Sequence, residues 1–374
     1  MIYKSKFIDN LMILAIVICN LSQIPAMFGN SIIRMGYTTI WILLFGLLIV
    51  ENEFKVNIRH LYIPILFDFV CLIGLAFGKN YMSSALFRPV NMSAFIMTVG
   101  ILVGTFSEER TLRKISIAYT ISSIIVGGVI YFTVFRGANW SGSNVYLYTS
   151  KNSAAQFLLV GMILVIILFY KNNKILSVLL IGFYVSLILM MKSRTTIVAM
   201  VVFLLYFVFF VVESKLERNI YLIIILIFVL LVIFHPDIQH FIITEIFLNN
   251  RTIDISTLSS GRDNHWRIFN QEFNNFLLLG TGGTYLESMP LAALMSYGIL
   301  GGVPIVFFSM KPLIYSFKCR KDQQKNIYTI LVFSISIIML VNSLFEEQAP
   351  FGPGVKCYFL WLVFGMLIGK RESN

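Results

Sequence analysis

"ILSVLLIGFYVSLILMMKSRTTIVAMVVFLLYFVFFVV", from Ile175 to Val212, is apolar almost throughout and is interrupted once, by "KSRTT" at 192–196. A helix crosses a bilayer with about 20 predominantly apolar residues, so the run is too long for one span. It reads as two spans that turn at the polar break with almost no loop. The apolar residues are continuous rather than alternating, which excludes the strands of a membrane barrel. The rest of the chain follows the same pattern. Of 374 residues, 58% are hydrophobic and 13% charged, with a mean hydropathy of +0.83; an ordinary soluble domain is about 25% charged. Twelve spans are predicted, at 8–28, 32–50, 61–77, 90–106, 115–135, 153–170, 175–191, 195–212, 219–234, 289–310, 326–345 and 355–369. The expected fold is an all-α, polytopic integral membrane protein, a single membrane domain over 1–374.

Lys4 and Lys6 precede the first apolar stretch with no small-residue cleavage site after it, which reads as an uncleaved span rather than a signal peptide. Cys19, Cys71, Cys319 and Cys357 fall in different segments, giving neither a disulfide framework nor a zinc site. No repeat of 20–50 residues and no transporter-like internal symmetry is visible. A net charge of +11 would suit a nucleic-acid binder, but in a membrane protein a basic excess belongs first to cytoplasmic loops. With both termini inside, eighteen of the 29 basic residues fall on inner segments and eleven on outer ones. "KCRKDQQK" (318–325) is the strongest inner anchor. The longest loop, 235–288, then lies outside. Seven of the eleven outer cations are arginines. Topology does not require them there, so some are expected to meet an anion.

Polar residues concentrate in four outer stretches. "FRPVNMS" (87–93) sets Arg88 at the mouth of the fourth span, and "YLYTSKNSAAQF" (146–157) opens the sixth with Lys151 and Asn152. "MMKSRTTIVAM" (190–200) holds Lys192 and Arg194 between two spans. A cation near a span end either snorkels to the interface or serves a site, and both readings stay open for these four. Asp68, inside the third span, calls for a partner or water. The fourth stretch is "LSSGRDNHWRIFNQEFNNFLLLGTGG" (258–283) in the long loop. Its Trp266, Phe269, Phe273 and Phe276 recur as one stripe of an amphipathic helix, lying on the membrane or covering the bundle, with Asp263 as its cap. A helix start offers unpaired N–H groups to phosphate. Arg262 and Arg267 flank that start, and arginine grips phosphate oxygens in pairs. A plain amphipathic helix with solvated arginines is the alternative. "GTGGTYLES" (280–288) lacks the strand and lysine of a phosphate loop and reads as a tight turn into the tenth span.

The order of these pieces resembles the O-antigen ligase and polymerase family. The match is carried by Lys151, Asn152 and Ala155, then Ser193 and Arg194, then Ser260, Gly261, Arg262 and Trp266 in the long loop. It continues with "LLGTGG", "YGILGG" (297–302) and "NSLFE" (342–346), so it covers about 150 to 369, while the first five spans match only in character. The resemblance implies a GT-C-like integral membrane glycosyltransferase that uses no nucleotide sugar, metal or other cofactor. Such enzymes move a glycan from undecaprenyl pyrophosphate to an acceptor hydroxyl on the outer face of the bacterial cytoplasmic membrane. It also implies membrane lipid, a flippase and a chain-length regulator as partners, and no nucleic acid. By the same pattern Arg194 and Arg262 hold the pyrophosphate, helped by Lys151. Arg267, fifteen residues before Gly283, fits an arginine–glycine spacing of the polymerases. Asn152, Lys192, Arg88 and His265, on the same outer side, complete the expected substrate-binding set.

One departure decides between the family's two activities. Ligases carry a His–Asn pair just before the span equivalent to the tenth, where this chain has Glu287 and Ser288. The expectation is therefore a polymerase of lipid-linked repeat units, with Glu287 as the general base that deprotonates the acceptor sugar hydroxyl. Glu287 and Ser288 before Pro290 also make a good helix start, and His265 stands in reserve as a proton acceptor. A ligase is the second reading. A lipid-linked oligosaccharide flippase is the third, disfavoured because the site-like residues gather on one side.

Overall fold

The computed structural model describes residues 6–27, 30–51, 62–78, 81, 98–107, 109–136, 151–248, 262–322, 326–347, 349–351 and 355–372. Among them there is no strand, and the helices run in chain order. They are α1 (Lys6–Leu21), α2 (Ser31–Glu51), α3 (Tyr62–Phe77), α4 (98–105), α5 (Glu109–Ile130), α6 (Lys151–Leu164) and α7 (Lys174–Met190). There follow α8 (Arg194–Tyr206), α9 (Lys215–Phe234), α10 (Pro236–His240), α11 (Arg262–Glu272), α12 (Met289–Asp322), α13 (Ile327–Ser343) and α14 (Val355–Glu372). Wider π turns extend α5, α6, α8 and α10, the last through Phe241–Leu248. A helix lies on every predicted span, the fourth being described only over 98–105. Among the described residues, six helices are long and apolar enough to cross a membrane. α1, α3, α7 and α13 are shorter apolar helices, of 16 or 17 residues each.

α9 shows what solvent this protein needs. Ile223, Ile224, Leu226, Ile227 and Phe234 are all more than half exposed, and no part of its apolar window is buried. A helix apolar all round and uncovered is stable only in lipid. The chain is an all-α membrane protein.

The buried centre is α6, α13 and α14. From Ala154 to Ile166, α6 is buried without a break, and α13 packs on α6, α8, α12 and α14. In lipid, close packing replaces the hydrophobic drive, so small residues mark the tightest contact. Gly104 on α4 faces Gly365 on α14, where a Cβ on Gly365 would come within 2.9 Å of the Gly104 Cα, while Gly100 lies against Trp361 and Gly369 against Thr105.

Two devices position the loops at one end of the bundle. α12 is broken at Gly298, whose φ of 61° and ψ of −166° no side chain adopts easily. The carbonyls freed there are taken by the glycine loop: Thr281 N–H donates to Met295 O at 3.0 Å and Gly282 N–H to Ser296 O at 2.7 Å. In return Ile299 and Leu300 donate to Leu277 and Leu278. "LLGTGG" and "YGILGG" are thus two halves of one joint, whose backbone groups satisfy each other. At the same end the α13–α14 connection is tied down by Phe351, stacked on Phe308 and Trp361 at 5.8 and 5.7 Å, with Trp361 Nε1 donating to Pro350 O.

Candidate functional site at one end of the bundle

α6 and α8 both start at this end, because α7 returns the chain between them. Ser193 is the N-cap residue of α8, and its extended backbone precedes Arg194 at the first helical position. The Ser193 hydroxyl donates to Asn152 Oδ1 at 2.9 Å, and Asn152 Nδ2 donates to Glu346 Oε1 at 2.9 Å. Ser193 also shares a hydrogen bond with Thr196. Lys151 and Arg194, both half-buried, therefore stand at two neighbouring helix starts, where the dipoles favour an anion. Close by, Asn342 at the end of α13 is fully buried, and neither polar atom of its amide bonds to a protein group. Leaving such a group unpaired costs about 1–3 kcal/mol.

Glu346 follows Phe345, and Phe345 leads to the second half of the site. Arg262 Nη2 donates to Phe345 O at 3.1 Å and pairs with Glu287 Oε2 at 3.1 Å, with the guanidinium 5.5 Å over the Phe345 ring. One turn along α11, His265 Nδ1 accepts the Glu287 amide N–H at 2.8 Å. That bond fixes the neutral ring's proton on Nε2, which becomes a donor. His265 is therefore a poor candidate for the reserve proton acceptor, since its free lone pair is occupied. Tyr285 lies 3.5 Å from Glu287 Oε1. Burial, and then the charges of Glu287, Glu347 and Glu346, push its phenol above the ordinary value, so it stays protonated.

α11 is held over this end by apolar contacts. Ile268, Phe269, Phe273 and Phe276 pack on Leu286, Leu291, Ala292 and Met295. The expected stripe included Trp266, but Trp266 is 55% exposed and Ile268 takes its place. The helix ends at Glu272 and continues as a tighter 3₁₀ turn over Phe273–Phe276, so a single 3.6-residue period does not describe the whole stretch. Asp263 sits inside the first turn rather than at the cap.

Of the expected site residues, Arg262, Glu287, His265 and Asn152 are joined by this network, and Arg194 and Lys151 adjoin it. Arg267 is not: it is exposed and bonds to Asn264 Oδ1 at 2.8 Å, its neighbour one turn back. Lys192 is buried, and its ammonium pairs with Glu245 at 2.8 Å. This ties the π turn after α10 to the α7–α8 corner, with Lys192 in the left-handed region at φ 46°. Neither snorkelling nor an open substrate contact describes it. Arg88, Ser260 and Gly261 lie outside the described residues. Glu346, Phe345, Tyr285 and Asn342 were missed as site residues. "NSLFE" holds three of them, and its polar ends around an apolar pair were the available signal. Among the described residues no three His, Cys, Asp or Glu side chains are grouped to hold a metal ion. Neither a known protein-family pattern nor any curated protein matches this chain.

Proposed function

We propose that the protein polymerises undecaprenyl-pyrophosphate-linked oligosaccharide repeat units on the outer face of a bacterial cytoplasmic membrane, as a metal-independent glycosyltransferase of the O-antigen polymerase kind. The observation that supports it best is the bonded path from Ser193, beside Arg194, through Asn152, Glu346 and Phe345 to Arg262 and Glu287. It links the start of α8, where Arg194 stands, to Arg262 and Glu287. In the proposed reaction Glu287 takes the proton of the acceptor hydroxyl, and that oxygen attacks the anomeric carbon of the donor glycan. The bond from that carbon to the pyrophosphate breaks, and its electron pair leaves on the phosphate oxygen. Arg262 and Arg194, with Lys151, stabilise the developing charge, and His265 Nε2–H and Tyr285 add donors at the acceptor side.

Removing the chain from its host separates the readings. A polymerase deficit leaves surface glycan of single repeat units; a ligase deficit leaves long polymer on the lipid carrier, and that result would reassign the protein. The orientation has its own check. With other cysteines removed, Ile255→Cys is expected to react with a membrane-impermeant thiol reagent in intact cells and Asp322→Cys is not; the reverse would place the site inside.

A further inference from the structure

The Arg262–Glu287 pair is built to be broken. Arg262 contacts Glu287 Oε2 and Phe345 O through the same terminal nitrogen, and the two side chains are 21% and 34% exposed. A pair this open is weak and screened. A pyrophosphate offers several oxygens and can take the guanidinium in a paired, charge-assisted grip. Neither partner depends on the other for its place. Phe345 holds the guanidinium by its carbonyl and its ring. The Glu287 backbone is fixed by His265, and Ser288, which precedes the first residue of α12, accepts the Ala292 N–H. The carboxylate can therefore swing free without any change in the backbone.

We infer that Arg262 keeps the Glu287 carboxylate occupied until a pyrophosphate-bearing donor takes the guanidinium, so that donor binding itself frees the base. This rests on the polymerase reading and adds an order to it: donor first, acceptor deprotonation second. With Oε2 on the guanidinium and the Tyr285 hydroxyl 3.5 Å from Oε1, an acceptor hydroxyl must compete with both while the donor site is empty. The device also prevents acceptor activation when there is nothing to transfer.

The test uses the purified full-length protein in detergent and undecaprenyl pyrophosphate as the probe, with binding measured for wild type, Glu287→Gln, Arg262→Gln and the double variant. Removing the competing carboxylate is expected to tighten binding about two- to fivefold, the size of an exposed pair, and the gain is expected to vanish in the Arg262→Gln background. Equal affinities of Glu287→Gln and wild type would overturn the latch. So would a gain that persists without Arg262, since that is simple charge repulsion. If Arg262→Gln does not yield folded protein, Glu287→Asp replaces it. The shorter acid keeps the charge but cannot reach, so tightening supports the latch and weakening contradicts it. Absence of probe binding by every variant, wild type included, overturns the polymerase reading itself.

Discussion

Lys192–Glu245 and Arg262–Glu287 lie at the same end of the bundle, yet the first is sealed, with side chains 4% and 7% exposed, and the second is open, at 21% and 34%. The sealed pair fastens a π turn to the corner between α7 and α8. Removing one member leaves a buried charge alone, which is costly whatever the protein does. The open pair carries little folding energy and sits where a helix start, a carbonyl and an aromatic ring already hold the arginine. Burial thus separates a cation that maintains the fold from the one proposed to exchange partners. Sequence position did not separate them, because both stand at a helix start on the same side.

The comparison is sharpest when the two pairs are broken in parallel. Lys192→Met is expected to destabilise by about 3–5 kcal/mol, seen as lost folded protein in a detergent thermal melt. Lys192→Met with Glu245→Met should recover most of it, because two apolar groups replace the pair. A Lys192→Met protein as stable as wild type would mean that the sealed pair fastens nothing. Arg262→Lys should keep the melting profile, within about 1 kcal/mol, while turnover on lipid-linked repeat units falls about a hundredfold. A point charge does not replace the planar fork. Full turnover with lysine would make Arg262 an ordinary surface cation. The smallest effect is expected at Arg267: lysine there should change stability by less than about 0.5 kcal/mol and leave turnover as it was. A large loss there would show that the arginine–glycine spacing matters more than the bonded network.

Much of the architecture is legible in local pattern. Continuous apolarity places a helix on each predicted span, and the polar break at 192–196 marks the corner between α7 and α8. What pattern cannot carry is pairing at a distance. Glu346 meets Asn152 across 194 positions and Glu245 meets Lys192 across 53, and no periodicity links either pair. Gly298 could be read only as one glycine in an apolar run; its role as a helix break emerges when the loop at 280–283 docks on it. Arg262 and Glu287 were both legible as chemistry, but not as a pair.

The central claim is that Glu287 is the base freed within this network, and Glu287→Gln tests it most directly. The variant is assayed as purified protein with lipid-linked repeat units, its fold checked by thermal melt and its hold on the lipid donor by direct binding. A positioned general base contributes about 10²–10⁴-fold in rate. The account therefore predicts folded protein, donor binding at least as tight as wild type, and turnover down by about a hundredfold or more. A loss of only a few-fold would contradict it, leaving Glu287 as the residue that starts α12 and the acceptor proton to another group.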